Sequence, residues 1–415
     1  MKLLLDTRPL RSSAPFRRVW AGGVLSTVGG QLAVVAVLQQ TWELTASPVA
    51  VGAIGLAQAV PMIVFGQVGG ALADAVDRRR LVLVTTLGQM AVAGVLAAQA
   101  FAGLDSLAVL LALVALQSAA GALGAPARRT FAARLLPADQ VGAGLALFNL
   151  GFHASMLVGP AIAGVVAARW GVGACYAVDT LTFLAALYGL VRLPPLRPDG
   201  GLARPGLAAV VAGWRFIAGR PVLAGAFLTD VIATVLAMPI ALFPVVNADR
   251  FGGDPQTLGL FLSAIAVGGL AAGLASGAVT RARRPGLVML VAAAVWGGAL
   301  AAFGAAPSVW LALGLLAVAG AADTVSVISR GALVQLATPD AYRGRVSAVE
   351  DIVGMAGPYL GNFRAGLVAG ATTAGFAAVS GGLLCVLGIT LVAATVPGLR
   401  RPGVAARPPS CNEMA

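Results

Sequence analysis

Charged residues are scarce in this sequence of 415 residues. Asp, Glu, Lys and Arg together make up 11% of it, and Lys2 is the only lysine. A soluble domain carries about 25% charged residues, so this chain lacks the polar surface that water requires. A P-loop NTPase needs a lysine at the end of its glycine-rich phosphate loop. The position of Lys2 excludes such a loop.

Cysteine and histidine are also rare. Cys175, Cys385, Cys411 and His153 are the only residues of these two types, and their spacing fits neither a zinc site nor a disulfide framework. The HExxH and GxSxG motifs of hydrolases are missing as well. The sequence therefore predicts no enzyme and no cofactor. An integral-membrane enzyme remains an alternative, although it would need polar residues clustered at an interface, and no such cluster is found.

Apolar and small residues take the place of the missing charge. The chain is 59% hydrophobic with 54 glycines, and its mean hydropathy is +0.91. A membrane helix needs about 20 mostly apolar residues, and small residues let such helices approach closely. About twelve apolar runs of this length begin near residues 19, 49, 81, 106, 141, 172, 222, 257, 285, 308, 346 and 372. We therefore expect an all-α integral membrane protein.

Positive residues mark the gaps between these runs. If the N-terminus is cytoplasmic, 25 of the 28 Lys and Arg residues fall in cytoplasmic segments. This asymmetry predicts an even number of crossings, both termini in the cytoplasm and a multi-pass location in the inner (plasma) membrane. The net charge of +12 is thus a topology signal. Nucleic acid is not an expected partner, because no basic stripe is interleaved with aromatic residues.

The two halves of the chain resemble each other. DAVDRRR at residues 74–80 resembles GAVTRAR at 277–283, Pro137 aligns with Pro339, and Gly159-Pro160 aligns with Gly357-Pro358, at offsets of 203, 202 and 198. The offsets predict two six-helix, pseudo-symmetric halves in parallel repeat. The predicted segments are a cytoplasmic tail over 1–15, a first half over 16–191, a linker with a short amphipathic helix over 192–220, a second half over 221–399 and a cytoplasmic tail over 400–415.

Three stretches resemble a known family. GALADAVDRRR at residues 70–80 is similar to the loop signature G-x-L-x-D-R-x-x-R-R of the major facilitator superfamily, with Ala75 in place of its first arginine. GPAIAG at 159–164 resembles the helix motif of exporters in that superfamily. RGRVSA at 343–348 resembles a branch that includes siderophore and drug exporters. The resemblance implies the major facilitator fold and export of small molecules.

The resemblance also implies roles for individual residues. It implies an inner gate in which Asp74 pairs with arginines and with the end of a neighbouring helix, although the same cluster could serve topology alone. The gate residues would be Gly70, Asp74, Arg78, Arg79, Arg80, Arg343 and Arg345. The antiporter-like helix motif would be Gly159, Pro160 and Gly164.

Ionisable residues inside apolar runs are functional candidates by default. The resemblance implies that the first, fourth, seventh and tenth helices line a central cavity, and Asp230 and Asp323 lie on two of these. Together with Asp179 they are the candidate proton-coupling residues, since a carboxylate in a poorly hydrated cavity can bind and release a proton near neutral pH. The alternative is a structural carboxylate bonded to a helix end. Candidate substrate contacts are Gln31, Gln39, Gln117 and His153.

These observations predict a secondary active transporter with the proton gradient as its energy source. It would be a monomer in the lipid bilayer that exports small amphipathic molecules, a drug, antibiotic or siderophore, by alternating access. Embedded carboxylates suit cationic drugs, whereas an anionic siderophore would favour a basic cavity. A non-transporting receptor or scaffold on the same fold is the alternative.

Overall fold

The computed structural model describes residues 6–197 and 207–401. The first residues of the predicted N-terminal tail, the linker segment 198–206 and most of the predicted C-terminal tail lie outside the described residues. The described α-helices are α1 Arg8–Ser12, α2 Ala14–Thr45, α3 Pro48–Ala75, α4 Arg78–Phe101, α5 Leu107–Arg129, α6 Phe131–Leu135, α7 Val141–Val191, α8 Leu207–Ala218, α9 Pro221–Ala237, α10 Phe243–Phe251, α11 Pro255–Leu274, α12 Ser276–Thr280, α13 Pro285–Gly304, α14 Val309–Ala337, α15 Asp340–Ala371 and α16 Ala374–Thr395.

Serine caps set several of the helix starts. The hydroxyl groups of Ser47, Ser106 and Ser308 each accept a hydrogen bond from the backbone N–H three residues later. This satisfies one of the donors that the first turn of a helix leaves unpaired. The helices α3, α5 and α14 therefore begin within two residues of the starts expected from the apolar runs.

Ten helices in the described residues are long and apolar enough to cross a membrane. One of them, Ala138–Val191, has 54 residues. At 1.5 Å per residue it would reach about 80 Å, more than twice the hydrocarbon core of a bilayer at about 30 Å. Gly171 interrupts it with φ 77° and ψ 173°, a conformation that glycine adopts readily. The expected boundary between the fifth and sixth apolar runs lies at this glycine.

The chain divides into two compact units, which are described separately. The first contains the residues up to Arg204 and Ala241–Ser263, and the second contains Pro205–Ile240 and the residues from Ala264 onward. The segment Ala241–Ser263 belongs by sequence to the second half, yet it packs in the first unit. There the rings of Phe243 and Phe251 meet that of Phe261 edge-on.

Glycines bring α2 and α7 into close contact in the first unit. A side chain at Gly22 would meet the Ala185 carbonyl and, at 2.9 Å, the Ala186 Cα, and one at Gly189 would meet the Arg18 carbonyl oxygen at 2.8 Å. Such small faces are how membrane helices gain packing contacts without a hydrophobic driving force. Helices α2 and α7 together carry several of the first unit's polar side chains.

The internal repeat is visible in matching contacts. Gly159 of α7 lies against Gln31 of α2 in the first unit, and Gly357 of α15 lies against Thr234 of α9 in the second. In both cases the glycine precedes a proline inside a helix, and the partner lies on the first long helix of its half.

The seventh apolar run is broken where a continuous helix was expected. The helix α9 ends at Ala237, and α10 begins at Phe243 after a short 3-10 turn, Ile240–Leu242. Pro239 accounts for the break, because proline lacks an N–H and biases the preceding residue away from the helix. The Leu236 carbonyl freed by this break accepts a hydrogen bond from Arg364 Nη1 at 2.5 Å.

Candidate functional site

A buried ion pair lies inside the second unit. The Arg330 guanidinium of α14 contacts the Asp230 carboxylate of α9, and both side chains are about nine-tenths buried. Arg330 lies within α14, two turns before its end. Removal of one partner from a buried ion pair is strongly destabilising, because the remaining charge is then buried without a counter-charge.

Two more carboxylates adjoin this pair. Glu350 Oε1 of α15 lies 3.9 Å from Arg330 Nε. Asp323 lies seven residues before Arg330 on α14, which places both on one helix face, about 10 Å apart along the axis. Asp323 is exposed, and it interacts electrostatically with Asp230 and Arg330. Asp230 and Glu350 thus share one guanidinium, and Asp323 acts on it electrostatically from one side.

The loop that begins α4 is tied to neighbouring backbone in the first unit. Arg78 Nη2 lies 3.6 Å from Asp74 Oδ1, and Arg78 Nε donates to the Ala73 carbonyl at 3.1 Å. Its backbone N–H donates to the Leu196 carbonyl at 3.0 Å. Asp77 caps α4 by accepting from Arg80 N. Asp74 thus lies beside an arginine four residues on in the same loop, while Asp77 caps α4.

Arg79 holds the end of a different helix. Its Nε donates to the Leu190 carbonyl at 3.2 Å and its Nη2 to the Val191 carbonyl at 2.6 Å. These are the last carbonyls of α7, which lack partners within the helix, and a cation at a helix C-terminus is favourable. Arg80 is exposed and Gly70 is buried.

The other two predicted gate arginines lie at the start of α15 in the second unit. Arg343 Nη2 pairs with Asp340 Oδ1 at 3.0 Å, with both side chains exposed. The Arg345 guanidinium lies over the Tyr342 ring, 5.1 Å from its centroid. Both arginines are thus held at the surface by partners on their own helix.

The glycine-proline motif of α7 packs against the start of α11. Gly164 leaves room for the backbone of Pro255, whose carbonyl oxygen lies 2.8 Å from where a Cβ would stand, and the Pro160 carbonyl contacts Gly259. One turn away the Ser263 hydroxyl donates to the Leu157 carbonyl at 2.8 Å. Each of these contacts requires a residue without a bulky side chain.

Asp179 is the buried carboxylate of the first unit. It lies on α7 with no exposed surface, and neither carboxylate oxygen has a hydrogen-bond partner in the part of the chain that the structure describes. Gly29 of α2 passes so close that a Cβ there would lie 2.8 Å from Asp179 Oδ1. A charge on this group would be costly without a donor.

The four candidate substrate contacts do not form one cluster. Gln31 packs on Gly159, and Gln39 Nε2 donates to Glu43 Oε1 at 2.8 Å. Gln117 Oε1 is buried and has no partner among the described residues. His153 is exposed and meets the Phe152 ring edge-on at 5.7 Å. Of the four, Gln117 alone has a buried polar atom left for another group.

Two further observations limit the chemistry. Among the described residues, no group of three His, Cys, Asp or Glu side chains could hold a metal ion. A groove of about 520 Å³ in the first unit is lined almost entirely by aliphatic residues of α7, with Ser263 as its polar member. The groove therefore has none of the convergent charged groups that a catalytic site needs.

Comparison with known proteins decides the family. The sequence matches the transmembrane secretion effector family over residues 6–406. The chain belongs to this family. It is therefore a multi-pass membrane protein of the major facilitator superfamily, and it belongs among transporters of small molecules.

Curated relatives of this secretion effector are named as exporters. The multidrug efflux pump Tap of Mycolicibacterium fortuitum is 30% identical over 379 residues, which cover 86% of this chain and 89% of the pump. The enterobactin exporter EntS of Shigella boydii is 28% identical over 400 residues, covering 96% and 95% of the two chains. The Escherichia coli exporter of that name aligns over the same length.

Solved transporter structures share the fold. A bacterial homologue of the lysosomal transporter Spinster, crystallised in an inward-facing conformation, aligns with a TM-score of 0.71 at 15% identity over 96% of this chain and 100% of its own. A peptide transporter crystallised with sulfate aligns with a TM-score of 0.74 at 12% identity over 94% and 95% of the two chains. At such low identity the likeness concerns the fold alone.

Sequence analysis of this secretion effector missed a buried polar network. Gln40 and Gln99 exchange two hydrogen bonds at 3.2 and 3.0 Å, and the Tyr176 hydroxyl donates to Gln40 Oε1 at 2.9 Å. Nothing in their spacing links three residues on three helices. The sequence does single out Arg364, because this residue stands apart from the cytoplasmic clusters of positive charge. In the structure it caps the end of α9.

Proposed function

We propose that this chain is a proton-coupled exporter that moves small amphipathic molecules by alternating access. The observation that carries the proposal is the ion pair of Asp230 and Arg330, with Glu350 and Asp323 beside it. A membrane protein retains such a cluster at a considerable energetic cost. A cluster whose pairing depends on protonation supplies a physical route from a proton gradient to a change in helix contacts.

Coupling follows from the shared guanidinium. A proton on Asp230 would remove its attraction for Arg330 and leave Glu350 as the charged partner on α15. Because these three residues lie on three different helices, a change of partner alters the relation of α9 and α14 to α15. Asp323 is the second coupling candidate. Asp179 is the third, on the basis of its burial in the first unit.

The proposed topology has twelve crossings with both termini in the cytoplasm of the plasma membrane. The ten apolar helices supply it, with Ala138–Val191 crossing twice and α15 adding one more. The chain would act as a monomer in the lipid bilayer, with no cofactor. Asp74 and the arginines at 78–80 would be the inner-gate residues of the first unit, and Arg343 and Arg345 those of the second. The Gly159-Pro160-Gly164 motif would let α7 and the start of α11 separate.

A cationic cargo fits the cluster best, because three carboxylates facing one guanidinium leave an excess of negative charge that a lipophilic cation can neutralise. Similarity to the multidrug efflux pump Tap supports a drug as the cargo. A catecholate siderophore is the second candidate, and it is favoured by similarity to the enterobactin exporter EntS.

Everted membrane vesicles that contain the protein would test the proposal. The vesicles are energised to an inside-acid gradient, and a pH-sensitive dye reports proton release as each of three compounds is added: a lipophilic cation, a macrolide and a catecholate siderophore. We expect release with the lipophilic cation. Asp230→Asn should abolish it, and Asp323→Asn should weaken it.

Asp105→Asn provides the matched control, since Asp105 is an exposed carboxylate in the loop before α5. It should release protons as the wild type does. Full substrate-driven release by Asp230→Asn would disprove the assigned coupling residue. If no compound moves protons yet all bind the purified protein, the receptor or scaffold alternative gains support.

A further inference from the structure

The short helix α8 directly precedes an apolar helix. It ends at Ala218, and the apolar helix α9 begins at Pro221. Hydrogen bonds from Gly219 N to the Arg215 carbonyl and from Arg220 N to the Ile217 carbonyl keep the connection compact. Because the connection is so short, α8 stays close to the depth along the membrane normal at which α9 enters the bilayer. By the distribution of arginines, that level is the cytoplasmic one.

The helix has two apolar faces, and the protein covers only one of them. Gly213 and Ile217 are buried, and a Cβ at Gly213 would meet the backbone of Arg345 and, at 3.0 Å, the side chain of Val349 in α15. On another face Val211 is 56% exposed and Trp214 is 43% exposed. Tryptophan is enriched at membrane–water interfaces, where its ring lies at headgroup level. The uncovered face therefore has the composition of an interfacial helix.

Positive charge accompanies the uncovered face. Arg215 and Arg220 are exposed, and the sequence has no acidic residue from 207 to 229. The Arg220 guanidinium lies 3.7 Å from the centroid of the Phe216 ring, which stacks on Tyr342 at 4.1 Å with an interplanar angle of 18°. Arg220 is thus held on a rigid aromatic support, and the edge of its guanidinium can still donate hydrogen bonds.

We propose that α8 is a docking surface for anionic phospholipid in the cytoplasmic leaflet. Val211 and Trp214 enter the boundary between headgroups and acyl chains, and Arg215 and Arg220 bind the lipid phosphate. A bilayer is the occupant because α9 brings it to this level, and an anionic headgroup complements two arginines in a stretch, 207–229, that has no acidic residue. Each arginine near an anionic surface is worth about fivefold in affinity. This site is independent of cargo and coupling ion.

Quenching of tryptophan fluorescence by brominated lipids would test the proposal on the full chain in nanodiscs. Wild type and Trp214→Phe are compared in two nanodiscs of the same equimolar mixture of phosphatidylcholine and phosphatidylglycerol, with bromine on phosphatidylcholine in one and on phosphatidylglycerol in the other. The difference between the two proteins isolates the emission of Trp214. We expect that emission to be quenched in both lipids and more strongly with phosphatidylglycerol. Arg215→Gln/Arg220→Gln should remove the preference for phosphatidylglycerol.

Arg400→Gln/Arg401→Gln is the matched control, because it removes the same charge near the same predicted surface, outside α8. It should keep the preference. Trp214 emission that neither lipid quenches would overturn the proposal, and a cross-linked dimer in the same sample would identify a second copy as the occupant. Equal quenching by both lipids in the wild type would overturn the anionic selectivity. So would a preference that survives the double arginine variant.

Discussion

The first unit pairs its buried amides with each other, while the second unit pairs opposite charges. Gln40 and Gln99 exchange hydrogen bonds in the first unit, where Asp179 lies buried without a partner among the described residues. In the second unit Asp230 lies against Arg330. Both units keep the glycine contact of the repeat. Among the described residues, the Asp230–Arg330 pair of the second unit is about nine-tenths buried on both sides, while the Arg78–Asp74 pair of the first unit is more exposed. Shared packing in the two units therefore does not imply shared chemistry.

The repeat-related loops differ in the same way. Arg79 reaches from the start of α4 to the last carbonyls of α7. In the second copy Ala282 stands at the position of Arg79. Arg281, which aligns with Arg78, donates through Nε to the Gly277 carbonyl of α12 at 2.7 Å. The first loop therefore has an arginine that joins two helices at a position where the second loop has alanine.

Removal of Arg330 should produce the largest effect. Arg330→Gln leaves Asp230 buried without its partner, which should reduce the free energy of unfolding by about 3–5 kcal/mol. Asp230→Asn/Arg330→Gln should recover most of that loss without restoring substrate-driven proton release. Denaturant titration of the purified protein in detergent measures the first quantity, and vesicle assays measure the second. Arg250→Gln, at an exposed arginine, is the control. A double variant no more stable than the single one would contradict the pairing.

Two adjacent glycines of α2 test the packing of α2 against α7 in the first unit. Gly22→Ala should reduce the free energy of unfolding by about 1–3 kcal/mol, because its methyl group meets the α7 backbone. Gly23 has open space at the same position, so Gly23→Ala should leave stability unchanged or raise it by up to about 1 kcal/mol through helix propensity. Thermal unfolding of the two variants side by side gives the answer. Equal effects would mean that α2 and α7 do not pack through Gly22.

The loop contrast can be tested with one arginine from each copy. Arg79→Gln loses two charge-assisted bonds to carbonyls at the end of α7, and should lower stability by about 1–2 kcal/mol after allowance for its partial exposure. Arg281→Gln should change stability by less than about 0.5 kcal/mol. Hydrogen exchange over residues 187–193 would report loosening of the α7 end in the first variant. Loosening of that segment in both variants would remove the distinction between the loops.

The smallest effect is expected at the broken seventh run. Arg364→Leu leaves the Leu236 carbonyl without this donor, which should cost about 1 kcal/mol. Arg364→Lys should recover part of it, because it keeps a cation at the end of α9. Unfolding of the two variants in detergent gives the comparison. Full stability in Arg364→Leu would show that another donor satisfies this carbonyl.

Local patterning determined much of the fold. Apolar runs, serine caps and glycine breaks act over one or two helix turns, so helix starts such as those of α3, α5 and α13 follow from the residues nearby. The Gly-Pro repeat likewise indicated which positions of the two halves are equivalent. The arginines between apolar runs were recognisable as loop residues, because a charge costs little free energy at the membrane edge and several kcal/mol at its centre.

Tertiary structure alone decided which polar groups meet. Arg330 lies 100 residues from Asp230 and 20 from Glu350 in the sequence, and only the packing of α9, α14 and α15 brings the three together. The Gln40, Gln99 and Tyr176 network and the cap from Arg364 depend on the same kind of long-range contact. The composition of an apolar run determines whether it enters the membrane. The rotation and the depth of each helix determine which side chains it brings into contact with its neighbours. Rotation and depth are fixed by close packing among all the helices of the unit.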